Sequence, residues 1–84
     1  MYQLEISHIA HGQIRKLPAP TQERINKAIA GLSEDPRPHG TKKLTVREGY
    51  RVRVGNYRIL YKVDDEAGMV TIYRVMSRED VYRF

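Results

Sequence analysis

The sequence predicts a small α+β domain in which a helical hairpin packs on one face of an antiparallel sheet, in the order β, α, α, β, β, β. Apolar residues follow a helical spacing in the first half of the chain, whereas the second half contains three runs of alternating residues joined by turn signals. Residues 1–84 are expected to form a single domain, because the sequence contains no linker, repeat or low-complexity segment.

The chain begins with a predicted strand and a short helix. Apolar and polar residues alternate over residues 2–6, which predicts the strand, and Ser7 follows as a helix N-cap. The helix is expected over residues 8–17, since Pro18 cannot continue its hydrogen-bond ladder.

A second helix is predicted from Pro20 by a complete apolar stripe. Its members recur at the i, i+3, i+4 and i+7 positions of one helix face, and they are Ile25, Ala28, Ile29 and Leu32. Pro36 ends the helix, because the residue before a proline avoids the α region. The short connection between the helices predicts an antiparallel pair. The loop of residues 37–41 is expected to cross the surface.

Three strands are predicted in the second half, over residues 50–54, 57–64 and 70–76. Gly55 and Asn56 join the first two, since this pair tolerates the positive φ of a tight turn, and an acidic turn ending at Gly68 joins the last two. Strands joined in this way form an antiparallel meander, and the first strand of the chain is expected at an edge. The helices then bury their apolar stripe against one face.

The positive charge of the chain is concentrated in one segment. The formal net charge is +5, but residues 42–62 contain seven basic residues and one acid, a local balance of +6. Clustered cations attract a polyanion or an acidic protein segment. The alternative is a solvated basic face without a partner.

The composition excludes several kinds of site. Cysteine is absent, which excludes disulfides, thiolate zinc sites and a thiol nucleophile and suits a reducing cytoplasm. No apolar run reaches the roughly 18–20 residues of a membrane span, and the N-terminus lacks the features of a signal peptide. We therefore expect a cytoplasmic protein without a membrane partner.

No metal or cofactor site is predicted. His8, His11 and His39 lie in the helical half without a second ligand type at a recognisable spacing, and they are interpreted as surface or helix-start residues. The acids of residues 64–66 lack the spacing of a calcium loop and are interpreted as a solvated turn. The sequence contains no glycine-rich phosphate loop, nucleophile elbow or dinucleotide fingerprint.

The meander presents a cluster of cations. Arg51 and Arg53 alternate with apolar residues, so a strand places both on one face, where they either contact phosphate or form a solvated surface. Arg58 and Lys62 share a face of the next strand. Arg58 lies among apolar residues, where an unpaired charge is costly unless a carboxylate or a ligand meets it.

Two further candidates lie near the end of the chain. Strict alternation places Arg74 and Arg78 on the same face as Ile72. Arg78 either contacts phosphate or pairs with one of the nearby acids. Tyr82 packs the tail, stacks on a base or assists proton transfer. The tail itself is too short to fold alone and is expected to lean back on the sheet.

These side chains suit the internal cleavage of RNA. The reaction needs a proton removed from the 2′-OH, charge stabilised on the phosphorane oxygens and a proton given to the leaving 5′-oxygen. Guanidinium groups suit the middle step, because their rigid fork holds phosphate oxygens and stays charged. An arginine is a poor general base, since its pKa lies far above neutrality. The predicted RNA-binding residues are Lys42, Lys43, Arg47, Arg51, Lys62 and Arg74.

The chain resembles the RelE/ParE superfamily of type II toxins. The resemblance covers nearly the whole length, through the helix end LSEDPRP, the KKL that follows it, the central YRVRVGNYRILYKVDDE and the closing YRVMSREDVYR. An arginine followed closely by a tyrosine in the tail is more similar to the RelE-like mRNA interferases than to the ParE gyrase inhibitors. The resemblance implies a RelE-like fold of the microbial ribonuclease type.

The resemblance also implies a set of catalytic residues, which are Arg51, Arg53, Arg58, Arg78 and Tyr82. Well-known members carry lysines at the positions of Arg51 and Arg53, and one of those lysines is assigned as the general base. Other members use a Glu and His pair, and no histidine occupies the C-terminal region here. The group that moves the protons therefore stays open at this point.

As a function, the resemblance implies a metal-free endoribonuclease that cuts mRNA codons in the ribosomal A site and leaves a 2′,3′-cyclic phosphate and a 5′-OH. It implies a cognate antitoxin as partner, with operator DNA contacted only indirectly through the complex of the two proteins. Two alternatives are a ParE-like inhibitor of DNA gyrase that hydrolyses nothing, and an inactive toxin that serves as an antitoxin-bound co-repressor.

Overall fold

A five-stranded mixed sheet carries two helices on one face, in a computed structural model that describes residues 1–45 and 47–84. In chain order the elements are β1 (Gln3–Ile6), α1 (His8–Arg15), α2 (Ala19–Glu34), β2 (Lys42–Lys43), β3 (Tyr50–Val54), β4 (Tyr57–Asp64), β5 (Met69–Ser77) and α3 (Arg78–Arg83). The predicted α+β class and the order of the six predicted elements are confirmed. None of the helices in the described ranges is long and apolar enough to span a membrane.

The first two helices begin and end where local hydrogen bonding dictates. The Ser7 hydroxyl accepts a hydrogen bond from the backbone N–H of Ala10 (3.1 Å), which confirms Ser7 as the N-cap of α1. Helix α1 ends at Arg15, earlier than predicted, because the next N–H groups bond to the third preceding carbonyl and tighten the chain. Helix α2 ends at Glu34, and Asp35 is extended ahead of its proline, as predicted.

The core lies between the helices and one face of the sheet. Helix α2 contributes Ile25, Ile29 and Leu32, each at most 3% exposed, as its apolar stripe predicts. The fourth member of the stripe, Ala28, is only partly buried. The central strand β4 contributes Tyr61, which is fully buried against them. Burial of this face leaves the opposite face of the sheet to carry polar and charged side chains.

The sheet has the order β1-β5-β4-β3-β2. Strands β3, β4 and β5 form the predicted antiparallel meander, and β1 joins an edge as predicted. However, β1 runs parallel to β5, with Leu4 opposite Val70, so the expectation of a wholly antiparallel sheet is wrong. A tight hairpin forces antiparallel pairing, whereas β1 is separated from the meander by two helices and can pair in either direction.

A β-bulge at Tyr73 changes the faces that the residues of β5 occupy. Leu60 pairs with Arg74 and its neighbour Tyr61 pairs with Ile72, so Tyr73 has no partner of its own on β4. The prediction that Arg74 shares the face of Ile72 is therefore wrong. Ile72 and Val75 are buried in the core, and Arg74 lies on the opposite face, beside Leu60.

Two short elements were not predicted. Strand β2 extends the sheet beside β3, with Lys42 opposite Arg51. Helix α3 forms where the sequence predicted only a tail leaning on the sheet, so Arg78 lies on a helix and not on a strand face. The Ser77 hydroxyl caps it by accepting from the backbone N–H of Asp80 (3.2 Å), and acids in the first turn favour the helix N-terminus.

Candidate functional site

The cations of the meander form two rows across the strands, on the face opposite the helices. Directly paired residues share a face, so the first row contains Lys42, Arg51, Leu60 and Arg74. The second row contains Arg53 of β3, Arg58 of β4 and Met76 of β5. Period-two alternation and strand register together thus place guanidinium groups from neighbouring strands side by side.

A groove of about 470 Å³ opens over these rows. It is lined by cations from three strands, by helix α3 and by the loop before β2. Its lining residues are His39, Gly40, Lys42, Arg51, Val52, Arg53, Arg58, Arg78, Val81 and Tyr82. All five residues predicted to be catalytic therefore line one groove.

Helix α3 supplies one wall of the groove. The backbone N–H of Arg78 donates to the Asn56 carbonyl (2.8 Å), which ties the start of the helix to the turn between β3 and β4. Tyr82 follows one helical turn later, so both side chains reach the groove. The Tyr82 side chain is 78% exposed and is free to contact a ligand.

The groove carries no internal counter-charge. Among the residues that line it in the described part of the chain there is no carboxylate. The ion pair found within residues 1–45 and 47–84 lies elsewhere, between Arg37 and Asp65 (2.9 Å). Arg78 accordingly has no ion pair with a nearby acid in those ranges. A concave surface with several cations and no acid attracts anions.

Arg58 occupies the least favourable position in the cluster. It is partly buried, and its Nη1 donates to the backbone carbonyls of Tyr57 (3.1 Å) and Gly55 (3.5 Å). Burial lowers the pKa of Arg58, and the charges of Arg53, Arg51 and Arg78 lower it further. A bound anion would offset both effects.

A second groove of about 520 Å³ continues from the first and is more apolar. The two share Lys42, Arg51, Val81 and Tyr82, and the second is lined in addition by Lys43, Leu44, Thr45, Arg47, Leu60 and Phe84. Two guanidinium groups contact the Phe84 ring, with the Cζ atoms of Arg47 and Arg74 lying 3.9 Å and 5.0 Å from the ring centroid. These stacked pairs hold the end of the chain against the sheet.

The predicted RNA-binding residues fall into different places. Lys42 and Arg51 line both grooves, and Lys43 and Arg47 line the second. Arg74 lies beneath Phe84 at the edge of this region. Lys62 lies further along β4, with its ammonium 5.7 Å from the Tyr73 ring, and it lines neither groove.

Sequence reasoning missed His39 and Gly40, which line the first groove from the loop before β2. That loop was expected only to cross the surface. The available signal was its sequence, because a Pro-His-Gly turn leads directly into the first cations of the sheet. Elsewhere in the described ranges, no three His, Asp or Glu side chains lie close enough together to hold a metal ion.

The chain matches a known toxin family over almost its whole length. A family model described as the ParE toxin of the type II toxin-antitoxin system, parDE, matches residues 4–82. The chain is 33% identical over 84 residues to Toxin RelG of Mycobacterium tuberculosis, covering 98% of this chain and 97% of that protein. It is 29% identical over 80 residues to the mRNA interferase toxin RelE of Escherichia coli, covering 93% and 84%.

The fold agrees with these sequence matches. The structure superposes on the crystal structure of the toxin-antitoxin complex RelBE2 from Mycobacterium tuberculosis with a TM-score of 0.80, at 31% identity, covering 92% of this chain and 98% of that chain. The RelE-like fold is therefore confirmed. The chain belongs to the RelE/ParE family of type II toxin-antitoxin toxins.

Proposed function

We propose that this toxin is an endoribonuclease that cuts mRNA codons in the ribosomal A site and thereby inhibits translation and growth. The observation that carries the proposal is the groove in which four arginines and Lys42 converge, with no carboxylate among its described lining residues. Similarity to an mRNA interferase supports the same activity.

The arginines act on the phosphate in the proposed reaction. The ribose 2′-OH attacks the adjacent phosphorus, the bond to the 5′-oxygen breaks, and the products are a 2′,3′-cyclic phosphate and a 5′-OH. Negative charge builds on the phosphorane oxygens, and Arg53, Arg58 and Arg78, which line the same groove, stabilise it. Because these donors are already in place, little reorganisation is needed as the charge develops.

Tyr82 and the outer cations position the RNA. The exposed phenol of Tyr82 offers a flat face on which a base can stack. Lys43 and Arg47, along the second groove, and Arg74 and Lys62, farther out, can contact phosphates flanking the scissile one. The ribosome is expected to hold the codon in register, so activity on free RNA should be low.

A cognate antitoxin is the second partner in this proposal. The related RelBE2 structure is a complex of toxin and antitoxin. An acidic antitoxin segment would neutralise the cationic face and exclude RNA from it. Operator DNA would then be contacted only through the complex. A small acidic reading frame beside this one would support the pairing, and a ribosomal target implies a cytoplasmic toxin.

The matching family model, described as a ParE toxin, favours a second candidate function. In this alternative the chain inhibits DNA gyrase by binding and cleaves nothing. The two functions differ in what is damaged in the cell, so one induction experiment separates them. An inactive toxin that acts as an antitoxin-bound co-repressor would cause neither kind of damage.

The test is induction of the toxin in growing cells, with mRNA ends mapped on ribosomes. The wild type should arrest translation and produce cuts within ribosome-bound codons. Arg78→Ala should abolish the cuts, whereas Arg83→Ala, on the same helix but outside both grooves, should not. DNA damage signalling with intact mRNA would instead favour gyrase inhibition. Growth without either signal would favour the co-repressor.

A further inference from the structure

His39 lies at the corner of a tight turn whose shape is fixed by its neighbours. The backbone N–H of Thr41 donates to the Pro38 carbonyl (3.0 Å), which closes a four-residue turn with His39 in the second position. Gly40 follows with φ of +91°, as the third position of a type II turn requires. The turn therefore constrains the direction in which the His39 side chain leaves the backbone.

The turn is also anchored to the sheet. The buried hydroxyl of Tyr61 donates to the Pro36 carbonyl (2.7 Å) and lies 3.4 Å from the Thr41 hydroxyl, so it holds the loop at both ends. Arg37, inside the loop, bonds to Asp65 (2.9 Å) and to the Tyr50 hydroxyl (3.1 Å). These contacts support a fixed position for His39 at the groove.

The groove places His39 among groups that cannot remove a proton near neutral pH. The charged or titratable side chains that line it with His39 are Lys42 from β2, Arg51 and Arg53 from β3, Arg58 from β4, and Arg78 and Tyr82 from α3. Arginine and lysine are protonated at pH 7, and a tyrosine phenol releases its proton only near pH 10. Imidazole is the side-chain group that ordinarily gains and loses a proton between pH 5 and 8.

Resting on the proposed function, we propose that His39 is a catalytic residue that takes the proton from the attacking 2′-OH. The 2′-oxygen forms a bond to phosphorus, its proton moves to a neutral imidazole nitrogen, and the bond from phosphorus to the 5′-oxygen breaks. The 5′-oxygen gains a proton from water or from the Tyr82 hydroxyl, which then recovers a proton from solvent. The imidazolium returns its proton to solvent. The arginines keep the single role of stabilising charge on the phosphate oxygens.

The test is a single-turnover assay on purified ribosomes with a defined codon in the A site, run from pH 5.5 to pH 9. The wild-type rate should fall towards the acidic end of this range, as expected when the catalytic base must be neutral. His39→Gln should cut roughly 10²-fold more slowly and lose this acidic limb, with ribosome affinity unchanged. Added imidazole should partly restore His39→Ala but not Arg58→Ala. His11→Gln, at an exposed histidine of α1 outside the groove, is the control.

Three results overturn the inference. If the wild type cuts and His39→Gln matches it in rate and pH profile, His39 takes no part in proton transfer, and the proposed function stands. If His39→Gln is slower but keeps the acidic limb and imidazole restores nothing, the residue only supports the turn. If the wild type cuts no ribosome-bound mRNA, the proposed function fails together with this inference.

Discussion

Arg53 and Arg58 stand directly opposite each other across the β3–β4 ladder. Like charges at directly paired positions destabilise a sheet, and Arg58 is also partly buried there. Nothing in the folding of the chain requires two arginines at this pair. The Arg53–Arg58 pair therefore lowers the stability of the sheet and concentrates positive charge on one face, which is the pattern expected where a sheet binds an anion.

Arg53→Thr is expected to stabilise the fold. Removing one member of the like-charged pair should raise the free energy of unfolding by about 0.5 kcal/mol at low salt, because the repulsion is lost and threonine suits a strand. Urea unfolding measures the change, and Lys62→Thr, at an exposed strand cation paired with Thr71, is the matched control. The gain should shrink at high salt. A gain that is independent of salt would show that repulsion is not its cause.

Arg58→Lys is expected to be nearly as inactive as Arg58→Ala. Lysine keeps the charge but lacks the planar fork of donors, so it cannot hold two phosphate oxygens at once. Both variants should cleave ribosome-bound mRNA about 10²-fold more slowly than the wild type, with unchanged circular dichroism and with the ability to bind antitoxin retained. Arg83→Ala is the control. A fully active lysine variant would reduce the role of Arg58 to that of a point charge.

The cationic face was predictable from the sequence because alternation along β3 and β4 continues without interruption up to the bulge. Once Gly55 and Asn56 are taken as the turn, Arg53 and Arg58 must pair. Arg74 was misplaced because the bulge at Tyr73 shifts the phase of β5, and such a shift depends on the partner strand. The chain carries no local signal for it.

The missed elements are set by tertiary contacts and not by local sequence. Helix α3 is six residues long, and a helix of that length is unstable alone, so its formation depends on the backbone bond from Arg78 to Asn56. His39 reaches the groove only because Tyr61, more than twenty residues later, holds its loop. The Pro-His-Gly sequence indicates a turn just before the first cations, but no ligand pattern around His39 marks the residue as part of a site.

Asp65→Asn is expected to weaken the fold at neutral pH and not in acid. Hydrogen bonds from Arg37 and then from Tyr2 lower the pKa of the Asp65 carboxyl in the folded state. Stability from a lowered carboxyl pKa is present above the unfolded value, near 3.9, and is lost as pH falls through the folded value. Melting temperatures of wild type and variant should therefore differ at pH 7 and converge below about pH 3. Glu66→Gln, in the same exposed turn, is the control, and its melting temperature should match that of the wild type at pH 7 as well as in acid.

Tyr61→Phe is expected to lower both stability and activity. The change removes the hydroxyl that donates a hydrogen bond to the buried Pro36 carbonyl. Leaving this carbonyl unpaired should lower the free energy of unfolding by about 1–2 kcal/mol. The loop that carries His39 also loses its anchor, so the rate of RNA cleavage should fall at temperatures where the protein remains folded. Urea unfolding and single-turnover cleavage measure the two effects. Wild-type cleavage by a destabilised variant would show that the anchor does not position the loop.

Deletion of Tyr73 is expected to be tolerated, although this residue belongs to β5, which pairs with β1 on one side and with β4 on the other. Because Tyr73 has no partner on β4, its loss turns the bulge into a regular ladder in which Leu60 still pairs with Arg74 and Tyr61 with Ile72. Every other side chain of β5 keeps its face, and the cost should stay below about 2 kcal/mol. Deletion of the exposed Arg53 from the regular ladder of β3 should instead reverse the faces of the residues on one side of the gap and unfold the protein. Thermal melts of the two deletions distinguish these outcomes, and equal loss of structure in both would mean that the bulge itself is needed to shape the sheet.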